Sequence, residues 1–306
     1  MNSAIKNILG NAYPVIQKNI FKMIGTISPK TLASIQYQRG FGKKIDWNKP
    51  KDINEKINWL KFNTDTATWT TLADKYSVRA YVERMGLGDM LVELYGHWNH
   101  AEDINWESLP NEFIMKTNNG SGEVFICKNK ADIDIAALTA NFRKQLAVKF
   151  GRSMGEPHYN KIKPCIIAEE LLDCKKQPIA SSSLIDYKIW SFDGKPAYIW
   201  VCYNRTPDSV QVALYDIDWN FHPEYSISTP HYILADAPIP RPKSLDKMLY
   251  AAAVLSKGFP ELRVDLYEVD AKPYFGELTF SSAGGFNDFY TSEFLRILGD
   301  LTILNK

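Results

Sequence analysis

Apolar residues recur at near-helical spacing across residues 4–24, where Ile5, Ile8, Leu9, Ile16, Ile20 and Met23 are separated by Lys6, Lys18 and Lys22. Pro14 interrupts the pattern, which therefore predicts two short amphipathic helices or one kinked helix. Pro29, Gly40, Gly42 and Pro50 punctuate the next stretch. Residues 51–63 return to helical spacing through Ile53, Ile57, Leu60 and Phe62. Residues 71–86 predict another helix, with Lys75 and Arg79 four apart on one face. From Phe113 the pattern shortens. FIMKTNNGSGEVFI reads as strand, glycine-bearing turn, strand; residues 132–150 read as a helix; residues 165–172 read as a short buried strand carrying two adjacent acids. DYKIWSF and AYIWVCY flank an Asp-Gly turn at residues 193–196, a strong hairpin signal. A helix over 244–257, opened by Ser244, precedes a second hairpin, LRVDLYEV and KPYFGELTF around Asp270-Ala271. Helices and hairpins alternate without a βαβ rhythm, so the expected class is α+β with antiparallel sheets.

Composition narrows the class. The chain has 306 residues, enough for one large or two ordinary domains, and 45% hydrophobic with 23% charged residues excludes a disordered or low-complexity protein. No run approaches the roughly 18 apolar residues of a membrane span, and the first residues lack a secretory-signal pattern. Four scattered cysteines (Cys127, Cys165, Cys174, Cys202) fit neither a disulfide scaffold nor a zinc site and point to the reducing cytosol. The net charge of +1 hides an asymmetry. Residues 1–50 hold eight basic residues against one acid, Asp46, and so carry +7 on an acidic body. Such an arm suits an anionic partner, or is simply a solvated helix face.

Candidate chemistry concentrates in the second half. Arg263 and Asp265 lie two apart in one strand and share a face, as do Glu277 and Thr279 in the next. Two carboxylates beside a guanidinium suit magnesium held against phosphate; an ordinary cross-strand ion pair has the same spacing. The turn at Gly120, Ser121 and Gly122 can aim backbone N–H groups at phosphate, with Lys116 as a point charge. It matches neither a P-loop nor a Rossmann fingerprint, and a plain hairpin turn would also hold these glycines. Glu169 and Glu170 can bond a ribose hydroxyl or mark a strand emerging into solvent. Lys188, mid-strand among apolar residues, needs an anionic partner, whether phosphate or a protein carboxylate. The five histidines show no metal-ligand spacing, and no GxSxG element occurs.

The order of these elements resembles the ATP-grasp superfamily: Lys116, then Gly120-Ser121-Gly122, Glu169-Glu170, Lys188, Arg263-x-Asp265 and Glu277-x-Thr279. More narrowly, NEKINWLKF, LADKYSVRAYV, FIMKTNNGSG, DYKIWSFDGKP and LRVDLYEVDAKPYFGELTF look like the TupA-like ATP-grasp family, from about residue 35 almost to the end of the sequence. That family is associated with teichuronopeptide and capsular polysaccharide synthesis. The superfamily usually has Asn two residues after the metal-binding Glu; Thr279 stands there here, which leaves the number of metal ions open.

The resemblance implies two α+β lobes clasping ATP, with residues 1–50 as a basic, partly helical arm and 51–112 as a helical region. Residues 113–175 and 176–306 would be the two lobes of the grasp. It implies ATP and Mg2+ as cofactors, with the metal on Asp265 and Glu277. Lys116, Gly120, Ser121, Gly122, Glu169, Glu170 and Lys188 would bind nucleotide, and Arg263 with Lys188 would stabilise the transferring phosphoryl group. The implied reaction is ATP-dependent ligation of a glycan-linked carboxylate, such as a uronic acid, to an amino acid or amine through an acylphosphate. A glycan phosphotransferase and a non-catalytic nucleotide-binding partner are the alternatives. The expected setting is the cytoplasm; residues 1–25 either make peripheral contact with anionic membrane or pack their apolar residues on the enzyme's own body or on a second subunit.

Overall fold

The computed structural model describes residues 12–120 and 124–304. Ile5, Lys6, Ile8, Leu9, Ser121 and Gly122 therefore lie outside the described residues. Helix α1 (Ala12–Ile27) runs unbroken past position 14, and α2 (Pro29–Phe41) follows after Ser28. The stretch before residue 12, on which the expected pair of short helices or kinked helix depends, lies outside the described residues. Among the described residues no helix is long and apolar enough to cross a membrane.

Helix α3 (Ile53–Asn63) is opened by Asp52, whose side chain accepts from the Glu55 N–H at 2.9 Å. The single helix expected over 71–86 is instead two, α4 (Ala67–Leu72) and α5 (Val78–Arg84). Asp74 causes the break. Its carboxylate accepts from the backbone N–H groups of Tyr76 and Ser77, at 2.8 and 3.3 Å, and from the Ser77 hydroxyl at 2.7 Å, a local alternative to helix.

Two sheets follow. The first has the order β1-β4-β2-β3 and is antiparallel throughout, with β1 (Leu94–Trp98), β2 (Phe113–Thr117), β3 (Phe125–Cys127) and β4 (Ile166–Glu169). It recruits β1 from the stretch expected to be helical, because Leu94–Trp98 offers β4 an edge to pair with. Phe113, Met115, Cys127, Ile166 and Ala168 form its apolar face, covered by Leu138 and Phe142 of α6 (Ile135–Leu146). This helix is shorter than the expected 132–150, since Asp134 caps it by accepting from the Ala137 N–H at 2.9 Å. The one-turn α7 (Pro157–Asn160) leads into β4.

The second sheet has the order β10-β9-β5-β6-β7-β8 and is antiparallel except for the β7–β8 pair. Its strands are β5 (Asp186–Phe192), β6 (Lys195–Tyr203), β7 (Val210–Asp216), β8 (Tyr232–Leu234), β9 (Leu262–Val269) and β10 (Lys272–Thr279). Both expected hairpins are present with two-residue turns. Asp193-Gly194 and Asp270-Ala271 all have positive φ, as a type I′ turn requires. One face, with Tyr187, Ile189, Ile199, Val201, Val264 and Leu266, packs on α8 (Leu245–Ser256). The other is divided. Trp190, Trp200, Cys202, Val212 and Leu214 lie under Ile53 and Ile57 of α3 and under Phe294, Leu295 and Leu298 of α9 (Ser292–Leu301). The remainder, over β9, β10 and the start of β5, carries charge.

Candidate active site

Strand β10 reaches the site through a bulge. Phe275 pairs with Leu266 and Glu277 with Asp265, so Gly276 is one residue extra. The extra residue rephases the strand: Phe275 and Leu278 both point to the α8 side, while Glu277 and Thr279 join Asp265 and Arg263 on the other. Glycine fits because a Cβ at 276 would stand 2.9 Å from the Asp265 carbonyl and 3.0 Å from the Tyr267 ring.

Asp265 is buried and fully engaged. Arg263 grips it bidentately, Nε to Oδ1 at 2.7 Å and Nη2 to Oδ2 at 2.8 Å, and Lys188 Nζ donates to Oδ2 at 2.6 Å. Lys188 also pairs with Asp186, whose Oδ1 is buried with no hydrogen-bond partner among the described residues. Arg263 further donates to Thr279 Oγ1 at 3.1 Å and to Ser282 Oγ at 2.8 Å, and Thr279 donates to Glu277 at 3.3 Å. Thr279 thus orients both the guanidinium and the second carboxylate.

Across the cleft the first sheet turns Ile114, Lys116, Ile126, Ile167 and Glu169 to one face. Lys116 Nζ meets Glu169 at 2.6 Å, and Arg79 holds the other Glu169 oxygen at 3.2 Å while donating to the Val92 carbonyl at 2.7 Å. Glu169 is buried between two cations, so here it positions Lys116. Glu170 is half-buried, and its backbone N–H donates to the Glu93 carbonyl at 2.9 Å. Gly120 is packed against Phe150, whose ring a Cβ would meet at 2.7 Å.

Lys75 joins the two sheets. It projects from the break made by Asp74, donates to the Gly120 carbonyl at 2.9 Å and pairs with Glu277 at 3.0 Å. Asp74 also accepts from Asn118 Nδ2 at 2.7 Å, which ties the same segment to the end of β2. The structure therefore brings together the expected Lys116, Gly120, Glu169, Lys188, Arg263, Asp265 and Glu277, and adds Lys75, Arg79 and Asp186. The signal for Lys75 was the Asp74 cap, hidden by the assumption of one continuous helix. The signal for Asp186 was its two-residue spacing from Lys188 in the DYKIW strand.

A loop beyond β10 completes one wall. Ala283, Gly284 and Gly285 have positive φ. Polar residues of α3 hold them: Asn58 Nδ2 donates to the Gly285 carbonyl at 3.0 Å and Lys61 Nζ to the Gly284 carbonyl at 2.6 Å. Asn54 accepts from the Asn287 N–H at 2.9 Å. Beneath the loop Ser281 donates to the buried Glu156 at 2.6 Å, next to the fully buried His158.

The charge pattern suits an anionic ligand with a hard cation. Burial alone would raise the Glu277 pKa, but the charges of Lys75, Lys188 and Arg263 outweigh it and hold the carboxyl well below its usual range. Burial disfavours the Lys188 ammonium too, yet Asp186 and Asp265 keep it protonated. The Cys202 thiol nearby is pushed up to about 12 by burial and is no nucleophile. Glu277, ionised and over a third exposed, and the free Asp186 oxygen are oxygen donors that fit magnesium, which takes one or two carboxylates plus phosphate oxygens.

The TupA-like ATPgrasp family model matches residues 55–303. No curated protein matches the sequence. Among solved structures, the chain resembles D-alanine–D-alanine ligase from Bacillus anthracis complexed with ATP, at 14% identity and a TM-score of 0.41 over 69% of this chain. It also resembles L-amino acid ligase from Bacillus licheniformis, at 12% identity and a TM-score of 0.45 over 84% of this chain. The match covers 55% of the length of each of these two ligases. A third likeness is the ATP-grasp ligase PsnB with minimal precursor, Mg and ADP, at 13% identity and a TM-score of 0.38 over 82% of this chain and 66% of that one. With the family model matched across both sheets and every charged strand of the cleft, the chain belongs to the TupA-like ATP-grasp family.

Proposed function

We propose that the protein is an ATP-dependent carboxylate–amine ligase of bacterial surface polysaccharide synthesis, joining an amino acid or amine to a uronic-acid-type carboxylate. One observation carries this reading: Lys75 ties the Gly120 carbonyl, just past the strand of Lys116, to Glu277, which lies beside Arg263 and Thr279 on the second sheet next to the Lys188–Asp265 pair. That is a cradle for a polyphosphate. Phosphoryl transfer needs positioning and charge neutralisation more than covalent help, and the cleft supplies cations without an activated nucleophile.

In the proposed reaction an oxygen of the substrate carboxylate attacks the γ-phosphorus and ADP leaves. The amine then attacks the acyl carbon, the C–O bond to phosphate breaks, and the amine's proton departs with the phosphate. Lys116 and Lys75 would hold the phosphate chain, Lys188 would steady it, and Arg263 would meet the charge that develops on the transferred group. Glu277 and the free Asp186 oxygen would hold magnesium, joined by Asp265 once its Arg263 and Lys188 contacts pass to phosphate, and the metal would supply charge neutralisation. The residue division stated above, with lobes at 113–175 and 176–306, is proposed with β1 added to the first lobe. The four cysteines are free, which supports a reducing, cytoplasmic setting.

The test is product analysis with purified protein, ATP, magnesium, candidate uronic acids and amines. A ligase releases ADP and phosphate only when acid and amine are both present, and yields an amide. Phosphate found on a glycan hydroxyl would make the protein a phosphotransferase, and no turnover with undiminished ATP binding would make it a nucleotide-binding module.

A further inference from the structure

Helix α1 shows four apolar residues to the outside. Its buried side is Gly25, where a Cβ would lie 1.9 Å from the Arg152 carbonyl and 2.8 Å from Leu32. Phe21 and Ile24 are half-buried, with the Arg39 guanidinium 5.2 Å from the Phe21 ring. Ile16, Ile20, Met23 and Ile27 are 41%, 42%, 58% and 79% exposed. At about 100° per residue these four fall within an arc of roughly 60° centred opposite Gly25. An apolar stripe facing away from the body is thus built into a segment whose buried contacts already fix its orientation.

We propose that this stripe is a docking surface for an anionic lipid bilayer. Charge selects the occupant. Residues 1–50 carry +7, and among them Lys22 on α1, Lys30 and Arg39 on α2, and Lys44 and Lys49 just after it are exposed. Lys43 alone of the 43–44 pair is matched by an acid, Asp52 at 3.0 Å. A second copy on the same stripe would bring two +7 segments together, whereas anionic headgroups neutralise them. An amphipathic helix lying in the interface buries such a stripe among acyl chains while its lysines reach the headgroups. The inference stands apart from the ligase reading, since it involves no residue of the cleft.

Sedimentation of the full 306-residue chain with vesicles tests it. Binding to vesicles with roughly 30% phosphatidylglycerol should exceed binding to pure phosphatidylcholine by about tenfold or more. It should collapse as salt rises from about 0.05 to 0.5 M. Ile20→Ser with Ile27→Ser should abolish it without moving the thermal midpoint, because both side chains are exposed, and Lys22→Glu should weaken it. Equal binding to both vesicle types, or none, overturns the proposal. So does a wild-type dimer in sedimentation velocity that the double variant dissociates, or a clear loss of thermal midpoint in that variant, since either shows the stripe to be covered by protein.

Discussion

Asp265→Asn and Glu277→Gln remove one negative charge each from neighbouring strands, yet the structure predicts very different costs. Asp265 is 1% exposed and accepts three charge-assisted hydrogen bonds, two from Arg263 and one from Lys188. An asparagine there leaves both cations buried beside a neutral amide. Removing one partner of a buried ion pair costs about 3–5 kcal/mol. Asp186 still answers Lys188, and Glu277 still lies 3.8 Å from Arg263, so the expected loss is at the lower end, about 3 kcal/mol. Glu277 has a side chain 36% exposed, and its partner Lys75 keeps the Gly120 carbonyl. Its replacement by glutamine should cost about 1 kcal/mol or less. Urea unfolding followed by tryptophan fluorescence and far-ultraviolet circular dichroism separates the two, and calorimetry with ATP and magnesium should show both variants impaired. Equal midpoints for the two variants would refute the reasoning, because Asp265 would then not be the counter-ion on which the buried cations depend.

Lys75→Ala and Lys116→Ala should each raise the apparent ATP dissociation constant, the lost charge-assisted contact being worth about 1.5–3 kcal/mol. The exposed Lys128 serves as control, and calorimetry showing equal losses at all three would reduce the effect to bulk charge. Lys130→Ala should instead lower stability, because its ammonium donates to the carbonyls of Trp106, Glu107 and Leu109 at 3.2, 3.3 and 2.6 Å. Burial, with help from Lys61 and Lys161, pulls the His158 pKa from 6.5 down to about 3. Between those values the unfolded chain binds a proton that the native state does not, so wild-type stability should fall as pH drops, by about 1.4 kcal/mol per unit. His158→Gln should lack that part of the slope between about pH 4.5 and 6, and parallel denaturation curves for the two proteins would remove the assignment. Gly276→Val should destabilise by about 1–3 kcal/mol through overpacking against Asp265 and Tyr267 and disturb the Glu277 register; unchanged stability and ATP affinity would show that the bulge tolerates a side chain.

Local signals carried much of the fold. The hairpins were legible because Asp193-Gly194 and the alternation around Asp270-Ala271 specify turn and faces together. Arg263, Asp265, Glu277 and Thr279 could be placed on shared faces within their own strands for the same reason. What stayed hidden depends on distant contacts. Nothing in KPYFGELTF distinguishes a bulged glycine from an ordinary one until the Asp265 carbonyl lies against it. The pairing of β1 with β4 and the parallel β8 are long-range choices. Asn54, Asn58 and Lys61 recur at the spacing of a solvated helix face, yet all three are buried against the loop after β10. Polar periodicity cannot tell water from a backbone that needs donors. Ser121 and Gly122, central to the expected phosphate turn, lie outside the described residues.

The cleft's cations are already matched by carboxylates. Lys116 and Arg79 share Glu169, Lys188 pairs with Asp186 and shares Asp265 with Arg263, and Lys75 rests on Glu277. Each carboxylate keeps its cation in place, since a buried ammonium or guanidinium without an anion would be expelled or neutralised. Under the proposed function a polyphosphate would enter by exchange: it would take over contacts that protein carboxylates now make, and those carboxylates would have to find another cation. Glu277 is best placed for this, being the most exposed of them and bound to a flexible lysine. A divalent metal arriving with the nucleotide would give it that cation as Lys75 turns to phosphate. Nucleotide without metal would crowd its phosphates against the side chains of Glu277 and Asp265. ATP affinity should accordingly fall sharply when magnesium is chelated, and Glu277→Gln, having less repulsion to relieve, should show a much smaller difference between metal-free and metal-bound affinities. Equal magnesium dependence in wild type and Glu277→Gln by titration calorimetry would mean that the metal is not held at Glu277.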